Sequence, residues 1–301
     1  MEIRQLQYFV VLYEEGSVTL AAQRLHVVQP AVSQQLAKLE ARLGHKLFHR
    51  TPKGMRPTQA GHDAYDIFAP ILRNLDHAPQ ELASRQGEVA GHVSIGVIAS
   101  VSNNAMSESL ISFHRKYPNV TIRATDSYTP DLVDMLRHGK IDIAMINDSL
   151  RTFPLPSIEV IQENLAVIFS AKFAQKPPRN VPLSDIQKHK LVLPSPHHGL
   201  RVIMDAVARR SGIRFAPALE FDQLTTIQDF VEQTDFITIL PQIALHRSLR
   251  EGRLQSRPTT PVISRRIVCV HMPDRPPTRA AMLLIEELKN KMSGAMSELE
   301  R

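Results

Sequence analysis

Residues 29–43 would form a helix with two chemically different faces. Gln29, Ser33, Gln34 and Lys38 share one face at helical spacing. Amide side chains can pair with adenine in the major groove of DNA, and a lysine can reach guanine or a phosphate. A solvated surface helix would carry the same pattern, so this helix alone leaves base reading and an ordinary surface both open.

A hydrophobic core must hold this helix in place. Its other face carries apolar residues at intervals of 4, 3 and 4, namely Val32, Leu36, Leu39 and Leu43. Pro30 falls in the first turn, where its fixed φ is tolerated. Two shorter helices are predicted before it: one ends at Gly16, and Ser17 caps another that runs to about Leu25.

The segment that follows, GHKLFHRTPKGMRPT, is typical of a two-stranded wing. Leu47 and Phe48 would point inward, while Pro52 and Gly54 set the bend. Its outward cations are Arg50, Lys53 and Arg56. A wing with three cations beside a base-reading helix predicts a phosphate clamp, with Arg56 able to enter a minor groove.

The charge distribution agrees with this prediction. The whole chain carries a formal net charge of +6, and residues 1–60 contain eight Lys and Arg against four Glu. Clustered basic charge attracts the phosphate backbone, although a run of charge can equally be a solvated face.

The run SVTLAAQRLHVVQPAVSQQLAKLEARLGHKLFHRTPKGMRPTQAG resembles the DNA-binding signature of LysR-type transcriptional regulators. Val28 is a departure, since the family often has Ser or Thr there, whose hydroxyl would cap the helix or touch a phosphate. The predicted DNA-contacting residues are Ser17, Thr19, Gln29, Pro30, Ala31, Ser33, Gln34, Lys38, Arg50, Thr51, Lys53 and Arg56.

A long linker helix is predicted after the wing, with Thr58 as its cap. Its stripe of apolar or small residues consists of Ala60, Ala64, Ile67, Ile71, Leu75, Ala78 and Leu82. Such a narrow stripe is typical of a coiled coil. Packing against the same subunit is one interpretation, and the resemblance implies the other, an antiparallel helix pair that joins two DNA-binding heads. The segment SRQGEVAGH would then be a hinge.

Residues 88–301 alternate strand and helix patterns. The predicted strands are HVSIGVIAS, VTIRATD, IDIAMIND, ENLAVIFS, KLVLPSP, ALEFDQ, FITILP and RRIVCVHM. The predicted helices run from about 104 to 117, 129 to 138, 200 to 211, 224 to 233 and 278 to 292. This alternation predicts a parallel sheet with helices on both faces, folded as two lobes around a cleft.

Ligands of such sheets bind at the carboxyl ends of strands, where helix N-termini favour anions. The residues in these positions are Ser100, Ser102, Asn103, Asn147, Ser195, His197, His198, Gly199 and Thr225. We expect them to bind a small polar or anionic metabolite, with its carboxylate toward the serines and helix ends.

Catalytic and metal chemistry find little support. His197 and His198 are adjacent in a loop, point apart and lack a carboxylate at ligand spacing, so a polar loop is favoured over a metal site. Ser195 lacks the small-residue elbow of a hydrolase. Cys269, a lone cysteine in the apolar run IVCV, is expected to pack in the core and excludes an internal disulfide. No enzyme activity, cofactor or metal is predicted.

The α/β fold class that follows is an N-terminal winged helix-turn-helix and linker helix, then a two-lobed domain that by resemblance is like a periplasmic binding protein. The predicted boundaries are 1–58 for the head, 59–87 for the linker and 88–301 for the regulatory domain, with lobe I about 88–162 and 268–301 and lobe II about 163–267.

The resemblance also implies what the protein does. It implies a cytoplasmic homodimer or homotetramer that grips a double-stranded DNA operator, closes its lobes on an effector and recruits or excludes RNA polymerase. No apolar run is long enough to span a membrane. A solute-binding module, a ligand-independent regulator and an enzyme with a DNA tether are the alternatives.

One further departure concerns the pocket. Similar regulators usually carry glycines before and within the strand at TDFITILP, where this chain has Asp235, Phe236 and Thr238. We expect a narrower pocket or an unusual effector.

Overall fold

The computed structural model of the chain describes residues 1–52, 54–85, 88–148, 153–174 and 176–299. The chain divides into two units, residues 1–87 with 138–140 and residues 88–137 with 141–301. The first unit is mainly helical, and the second combines a large sheet with helices. The α/β fold class predicted from the sequence is confirmed.

Three helices open the first unit: α1 (Ile3–Glu15), α2 (Val18–Arg24) and α3 (Gln29–Leu43). α1 and α3 end at Gly16 and Gly44, which adopt positive φ values of 60° and 73°. These glycines occupy the left-handed conformation that L side chains disfavour. The three predicted helices and the stop at Gly16 are confirmed, and Gly44 is a second stop of the same kind.

The wing consists of β1 (Phe48–Thr51) and β2 (Gly54–Pro57), paired antiparallel. The backbone N–H of Met55 donates to the carbonyl of Gly16 over 2.8 Å, so the wing is attached to the turn after α1. Gly54 has a φ of 122°, and a Cβ atom there would lie 2.4 Å from the Gly16 oxygen. Only glycine therefore fits this bend.

Helix α4 (Gln59–Arg85) follows the wing. Its first turn is capped as expected, because the Gly61 N–H donates to the Thr58 hydroxyl over 3.0 Å. The helix has two apolar faces. Ala64, Tyr65, Phe68 and Ala69 are buried in the core of the first unit, whereas Ile67, Ile71 and Leu75 are exposed in the single chain.

The second unit is built from nine strands and eight helices within the described residues. The elements up to residue 170 are β3 (Gly91–Val97), α5 (Ala99–Val101), α6 (Ser107–Lys116), β4 (Val120–Asp126), α7 (Thr129–Arg137), β5 (Ile143–Asn147) and β6 (Ser157–Ser170). The later elements are β7 (Val181–Pro182), α8 (Leu183–Ile186), β8 (Lys190–Leu193), α9 (Gly199–Arg210), β9 (Leu219–Glu220), α10 (Leu224–Gln233), β10 (Phe236–Pro241), α11 (His246–Arg250), β11 (Leu254–Val270) and α12 (Arg279–Leu299). A π-helical turn, Ser102–Met106, joins α5 to α6, and a 3₁₀ turn, Gln242–Leu245, precedes α11.

The main sheet has the strand order β4-β3-β5-β11-β6-β10-β8-β9. Strands β3, β4 and β5 are parallel to one another, and so are β8, β9 and β10. The long strands β6 and β11 pair antiparallel with each other, β11 also pairs antiparallel with β5 of the first set, and β6 with β10 of the second. The predicted parallel pairing is confirmed within each of these sets, and it is wrong only for β6 and β11. These two strands carry the chain between the lobes and run antiparallel to the strands beside them in the main sheet.

Each parallel set forms a lobe with its own hydrophobic core. The core of the first lobe includes residues of α6 and α12, and the core of the second includes residues of α9 and α10. Strands β6 and β11 contribute to both: Ile161 and Ile267 pack in the first lobe, and Leu165 and Ile263 in the second. The register of the pair shifts between Pro258 and Ile263. The second unit thus has two lobes joined by two continuous strands.

Candidate nucleic-acid interface and ligand cleft

The outward face of α3 carries the polar residues singled out in the sequence. Gln29, Pro30, Ser33, Gln34 and Lys38 are exposed, and Ala31 is half-buried. On the opposite face Val32, Leu36 and Leu39 are buried in the core of the first unit. The amide and lysine side chains are thus presented to solvent on a rigid helix.

Two of the predicted contact residues also have a local structural role. The Ser17 hydroxyl accepts the Leu20 N–H over 3.5 Å at the start of α2. The Thr51 hydroxyl donates to the Gly54 carbonyl over 2.9 Å inside the wing. Thr19, near the start of α2, is exposed. Of these three, only Thr19 has a hydroxyl free of such a local bond within the residues that the structure describes.

Val28, the departure from the family pattern, occupies the capping position of α3. Its side chain is 70% exposed and makes no capping hydrogen bond. The free N–H groups of the first turn of α3 therefore receive no side-chain oxygen from this position.

Some cations of the first unit are neutralised by carboxylates. Arg24 pairs with Glu14 and Glu15 at 2.7 and 2.9 Å, and Lys46 pairs with Glu40 at 2.6 Å. Three cations that the sequence nominated for DNA contact differ from these: Lys38, Arg50 and Arg56 are exposed, with no ion pair among the described residues. Lys53 lies outside those residues. The helix α3 and the wing thus both present positive charge to solvent.

A cavity of about 270 Å³ lies between the two lobes of the second unit. Six of the nine predicted cleft residues line it: Ser100, Asn103, Asn147, His198, Gly199 and Thr225. Ser102, Ser195 and His197 are not among its lining residues. The predicted residues follow strands and precede helices. Six of them, from both lobes, therefore meet at one cavity.

The cavity also has lining residues that the sequence analysis missed, among them Asp126, Tyr128, Thr129, Asp222 and Arg265. The first four lie where strands β4 and β9 lead into helices α7 and α10, so the same rule would have found them. Arg265 had a different signal, a cation within the apolar strand RRIVCV. Its position depended on the pairing of β6 with β11, which the sequence does not reveal.

Arg265 forms a buried network beside the cavity. Its Nε donates to Glu163 Oε1 over 2.9 Å, and its Nη1 donates to the Ser100 hydroxyl over 2.7 Å. Both ionic side chains are almost completely buried, at 0% and 4% exposure. A buried charge requires such a partner because its desolvation is costly.

His198 caps helix α9 from inside the cleft. Its Nδ1 accepts the Leu200 N–H over 3.1 Å, which places the ring proton on Nε2. Burial lowers the pKa of His198 to about 4, the charge of Asp222 opposes this shift, and the charge of Arg265 adds to it. The imidazole is therefore neutral at pH 7, with Nε2–H as its donor.

Tyr128 and Asp222 meet across the cleft. The Ser195 backbone N–H donates to Asp222 Oδ1 over 3.3 Å. Hydrogen bonding from the Ser195 side chain, with a further contribution from Tyr128, lowers the pKa of Asp222. The rings of Tyr128 and His198 pack edge to face with centroids 5.7 Å apart. One lobe thus contacts the other at the mouth of the cavity, and Ser195 acts behind Asp222 rather than at the cavity wall.

The stretch TDFITILP, which lacks the glycines usual in similar regulators, lies away from the cleft. Asp235 pairs with Lys190 at 2.7 Å beside a separate, open cavity of about 1020 Å³ at the far end of the second lobe. Phe236 and Thr238 do not line the cleft, and Thr238 is fully buried. The expectation that this stretch narrows the cleft is wrong, because β10 begins at the opposite end of the lobe.

The described part of the chain offers no evident site for a metal ion. Within it, no group of three or more His, Cys, Asp or Glu is placed to hold one. Cys269 is buried in β11, and burial raises the pKa of its thiol to about 12. No helix within the described ranges is long and apolar enough to cross a membrane.

Two family models match the chain. The model described as "Bacterial regulatory helix-turn-helix protein, lysR family" matches residues 3–62, and the "LysR substrate binding domain" matches residues 86–293. The second alone covers more than half of the chain. The chain belongs to the LysR family of DNA-binding transcriptional regulators, with an effector-binding domain after its helix-turn-helix.

Curated relatives are regulators of the same kind. The DNA-binding transcriptional dual regulator OxyR of Escherichia coli K12 is 28% identical over 299 residues, covering 98% of this chain and 97% of the relative. The nitrogen assimilation regulatory protein nac of the same strain is 28% identical over 267 residues, covering 88% and 86%.

Solved structures share the fold. A full-length OxyR variant from Pseudomonas aeruginosa has a TM-score of 0.72 at 22% identity, covering 97% of each chain. CbnR, a LysR family transcriptional regulator, has a TM-score of 0.61 at 22% identity, covering 98% of this chain and 99% of its own. The predicted winged helix-turn-helix and two-lobed domain are confirmed.

Proposed function

We propose that this regulator binds its operator through α3 and the wing, and that a small polar molecule in the cleft between the lobes controls that binding. The observation that carries the proposal is the cavity of about 270 Å³, because residues of both lobes line it. A ligand that touches both lobes stabilises their closed arrangement, and so shifts the population of regulator toward that state.

At the DNA, the residues divide by role. Gln29 and Gln34 read base edges, and Lys38 reaches guanine or phosphate. Arg50 and Arg56 of the wing bind phosphates, with Arg56 entering a minor groove. The exposure of these side chains and the absence of ion pairs on Lys38, Arg50 and Arg56 within the described residues support this division. Ser17 and Thr51 hold the scaffold in shape, and Lys53, outside the described residues, adds a third wing cation.

In the cleft, we assign the effector to the six lining residues predicted from sequence, with Ser195 acting through Asp222. Ser102 and His197 are proposed only as neighbours of that site.

Assembly is proposed from α4. Ile67, Ile71 and Leu75 are 59%, 44% and 47% exposed, although other side chains of the same helix are buried in its own unit. A second copy of the helix would cover this stripe, giving a homodimer or homotetramer that holds two operator segments. Ile71→Glu should then give a smaller species in sedimentation than Val202→Glu, a similar change at an exposed valine of α9.

The output proposed for this assembly is recruitment or exclusion of RNA polymerase in the cytoplasm, without enzyme activity. The free energy of lobe closure would couple the cleft to subunit packing and DNA bending. A thiol switch is not proposed. An internal disulfide needs two cysteines, and the only one in this sequence is the buried Cys269.

The test is a footprint on the DNA that flanks the regulator's own gene, with and without a small-molecule extract of cells. We expect a protected site whose length or pattern changes with the extract. Gln34→Ala is the control, because it should lose the protection while remaining folded. A footprint that is the same with and without the extract would favour a ligand-independent regulator. Absence of any protected site would reject operator binding in the DNA that flanks the gene.

A further inference from the structure

We infer that the cleft takes a zwitterion, a small molecule whose carboxylate enters the buried part of the cavity and whose amine stays at the mouth. This inference rests on the proposed function, because it names the class of effector for the same cleft. It follows from the distribution of donors and charges along the cavity wall.

Two buried hydroxyls of the wall have protons to donate. The Ser100 oxygen accepts Arg265 Nη1–H over 2.7 Å, and the Thr129 oxygen accepts the Asn147 N–H over 3.4 Å. Both side chains are more than nine-tenths buried. A hydroxyl that accepts a hydrogen bond keeps its own O–H for another acceptor. Both O–H groups are therefore available to an acceptor on a ligand in the cavity.

His198 adds a third donor. Its exposure is 8%, its Nδ1 is occupied by the Leu200 N–H, and its Nε2–H has no hydrogen-bond partner among the described residues. His198 lines the cavity, so this N–H is available to an acceptor on a ligand there. The three donors line one cavity, and a carboxylate has enough lone pairs to accept from all of them.

The cavity wall does not, however, favour a simple anion. Arg265 is its only lining cation among the described residues, and Glu163 already neutralises that guanidinium. Two carboxylates, Asp126 and Asp222, line the same cavity and have no ion pair in the described part of the chain. A ligand with a negative charge alone would gain from the three donors and be repelled by both aspartates.

The aspartates lie at the mouth. Asp126 and Asp222 are both exposed, unlike the buried Ser100, Thr129 and His198. The Tyr128 ring belongs to the same lining and is 36% exposed. Carboxylates and an aromatic face are the groups that bind an ammonium. A positive group on the ligand therefore belongs on the outer side, next to these residues.

The volume limits the size of the zwitterion. At about 270 Å³, the cavity lies just below the range of about 300 to 1,000 Å³ usual for drug-sized ligands. An amino acid of few carbons fits this description, whereas a nucleotide or a long peptide does not.

The test uses the purified full-length regulator and three matched kinds of probe. These are α- and ω-amino acids of two to six carbons, the carboxylic acids that lack the amine, and the amines that lack the carboxylate. Binding is followed by thermal shift and then calorimetry. We expect at least one amino acid to bind, with its matched acid and amine at least about tenfold weaker, the effect of losing one charged hydrogen bond.

Two variants isolate the mouth. Asp126→Asn removes a carboxylate that lines the cavity, and it should lower the affinity for the amino acid by about tenfold. Asp229→Asn removes an equal charge from the exposed side of α10, and Asp229 does not line the cavity. It should leave affinity unchanged. Equal weakening by both variants would overturn the inference, since it would indicate only a general charge effect.

The other outcomes separate this inference from the proposed function. If a carboxylic acid binds as tightly as its amino acid, or no probe binds while a cell extract still alters the footprint, the zwitterion is rejected and effector control stands. If neither the probes nor the extract has any effect, effector control itself fails.

Discussion

Arg265 donates a hydrogen bond to the hydroxyl of Ser100 over 2.7 Å, although the two residues are 165 positions apart. Arg265 belongs to the strand β11, which runs through both lobes, and Ser100 belongs to the short helix α5 in the first lobe. Since Arg265 also pairs with Glu163 on β6, one guanidinium links both crossover strands to the wall of the cleft.

Removing either charge of this network should destabilise the second unit. Arg265→Met leaves the charge of Glu163 buried without an opposite charge, and Glu163→Gln does the same to the charge of Arg265. Each variant should therefore lower the unfolding free energy by about 3 to 5 kcal/mol. The double variant should lose less than the sum of the two. Denaturant unfolding of all four proteins measures this, and strict additivity would mean that the pair does not interact.

The pH dependence of stability should carry the signature of His198. Its pKa of about 4 in the folded state lies below the ordinary value of 6.5, so the unfolded chain binds the proton more tightly. The contribution of His198 to the unfolding free energy is therefore fully present above about pH 6.5. It is lost as the pH falls toward 4, and the loss is about 3 kcal/mol at most.

His198→Asn should remove this part of the pH dependence, because asparagine can still cap α9 but does not titrate. The measurement is the unfolding free energy of both proteins between pH 4 and 7. The informative quantity is the difference between the two curves, since the other histidines contribute equally to both. A difference that does not change with pH would contradict the buried, neutral imidazole.

Much of this fold could be predicted from local patterns. The stops at Gly16 and Gly44, the cap at Thr58 and the helix Leu224–Gln233 all depend on residues close in sequence. The wing was predictable for the same reason, since its strands are joined by a short turn. Intervals of three and four residues identified the buried face of α3.

The features that could not be predicted depend on distant pairing. The first half of β11, with residues such as Gln255 and Arg257, has no apolar run, and its strand structure comes from pairing with β6. The antiparallel direction of β6 and β11, and hence the Arg265–Glu163 pair, follows from that pairing. The sequence predicts a cleft residue only where it follows a strand and precedes a helix, since that position can be recognised from neighbouring residues.

DNA binding should distinguish two arginines of the first unit. Arg56→Ala should weaken operator binding and reduce the slope of log affinity against log salt by about 1, since a phosphate contact releases a counterion. Arg24→Ala is the matched control. Arg24 is already paired with Glu14 and Glu15, so its loss should change the slope less. Equal changes of slope, in binding measured from about 50 to 200 mM salt, would reject the wing as a phosphate clamp.

Gln34→Ala should behave differently from both arginine variants. It should weaken binding to the operator by about 1 to 3 kcal/mol, with the loss concentrated at one base pair, because a base-edge contact is sequence-specific. The salt slope should stay as in the wild type. Affinities for the operator and for single base-pair variants of it measure this effect. A loss that is uniform over all sequences would place Gln34 away from the base edges.

The bend of the wing should tolerate no side chain. In Gly54→Ala the new Cβ would lie 2.4 Å from the backbone oxygen of Gly16, which cannot move without breaking the bond from Met55 N–H. We expect a loss of about 3 kcal/mol or more from strain and overpacking together. Gly44→Ala shares a positive φ but meets open space, so it should lose only about 1 to 2 kcal/mol. Thermal unfolding of the two variants would compare them, and equal losses would exclude the clash as the cause.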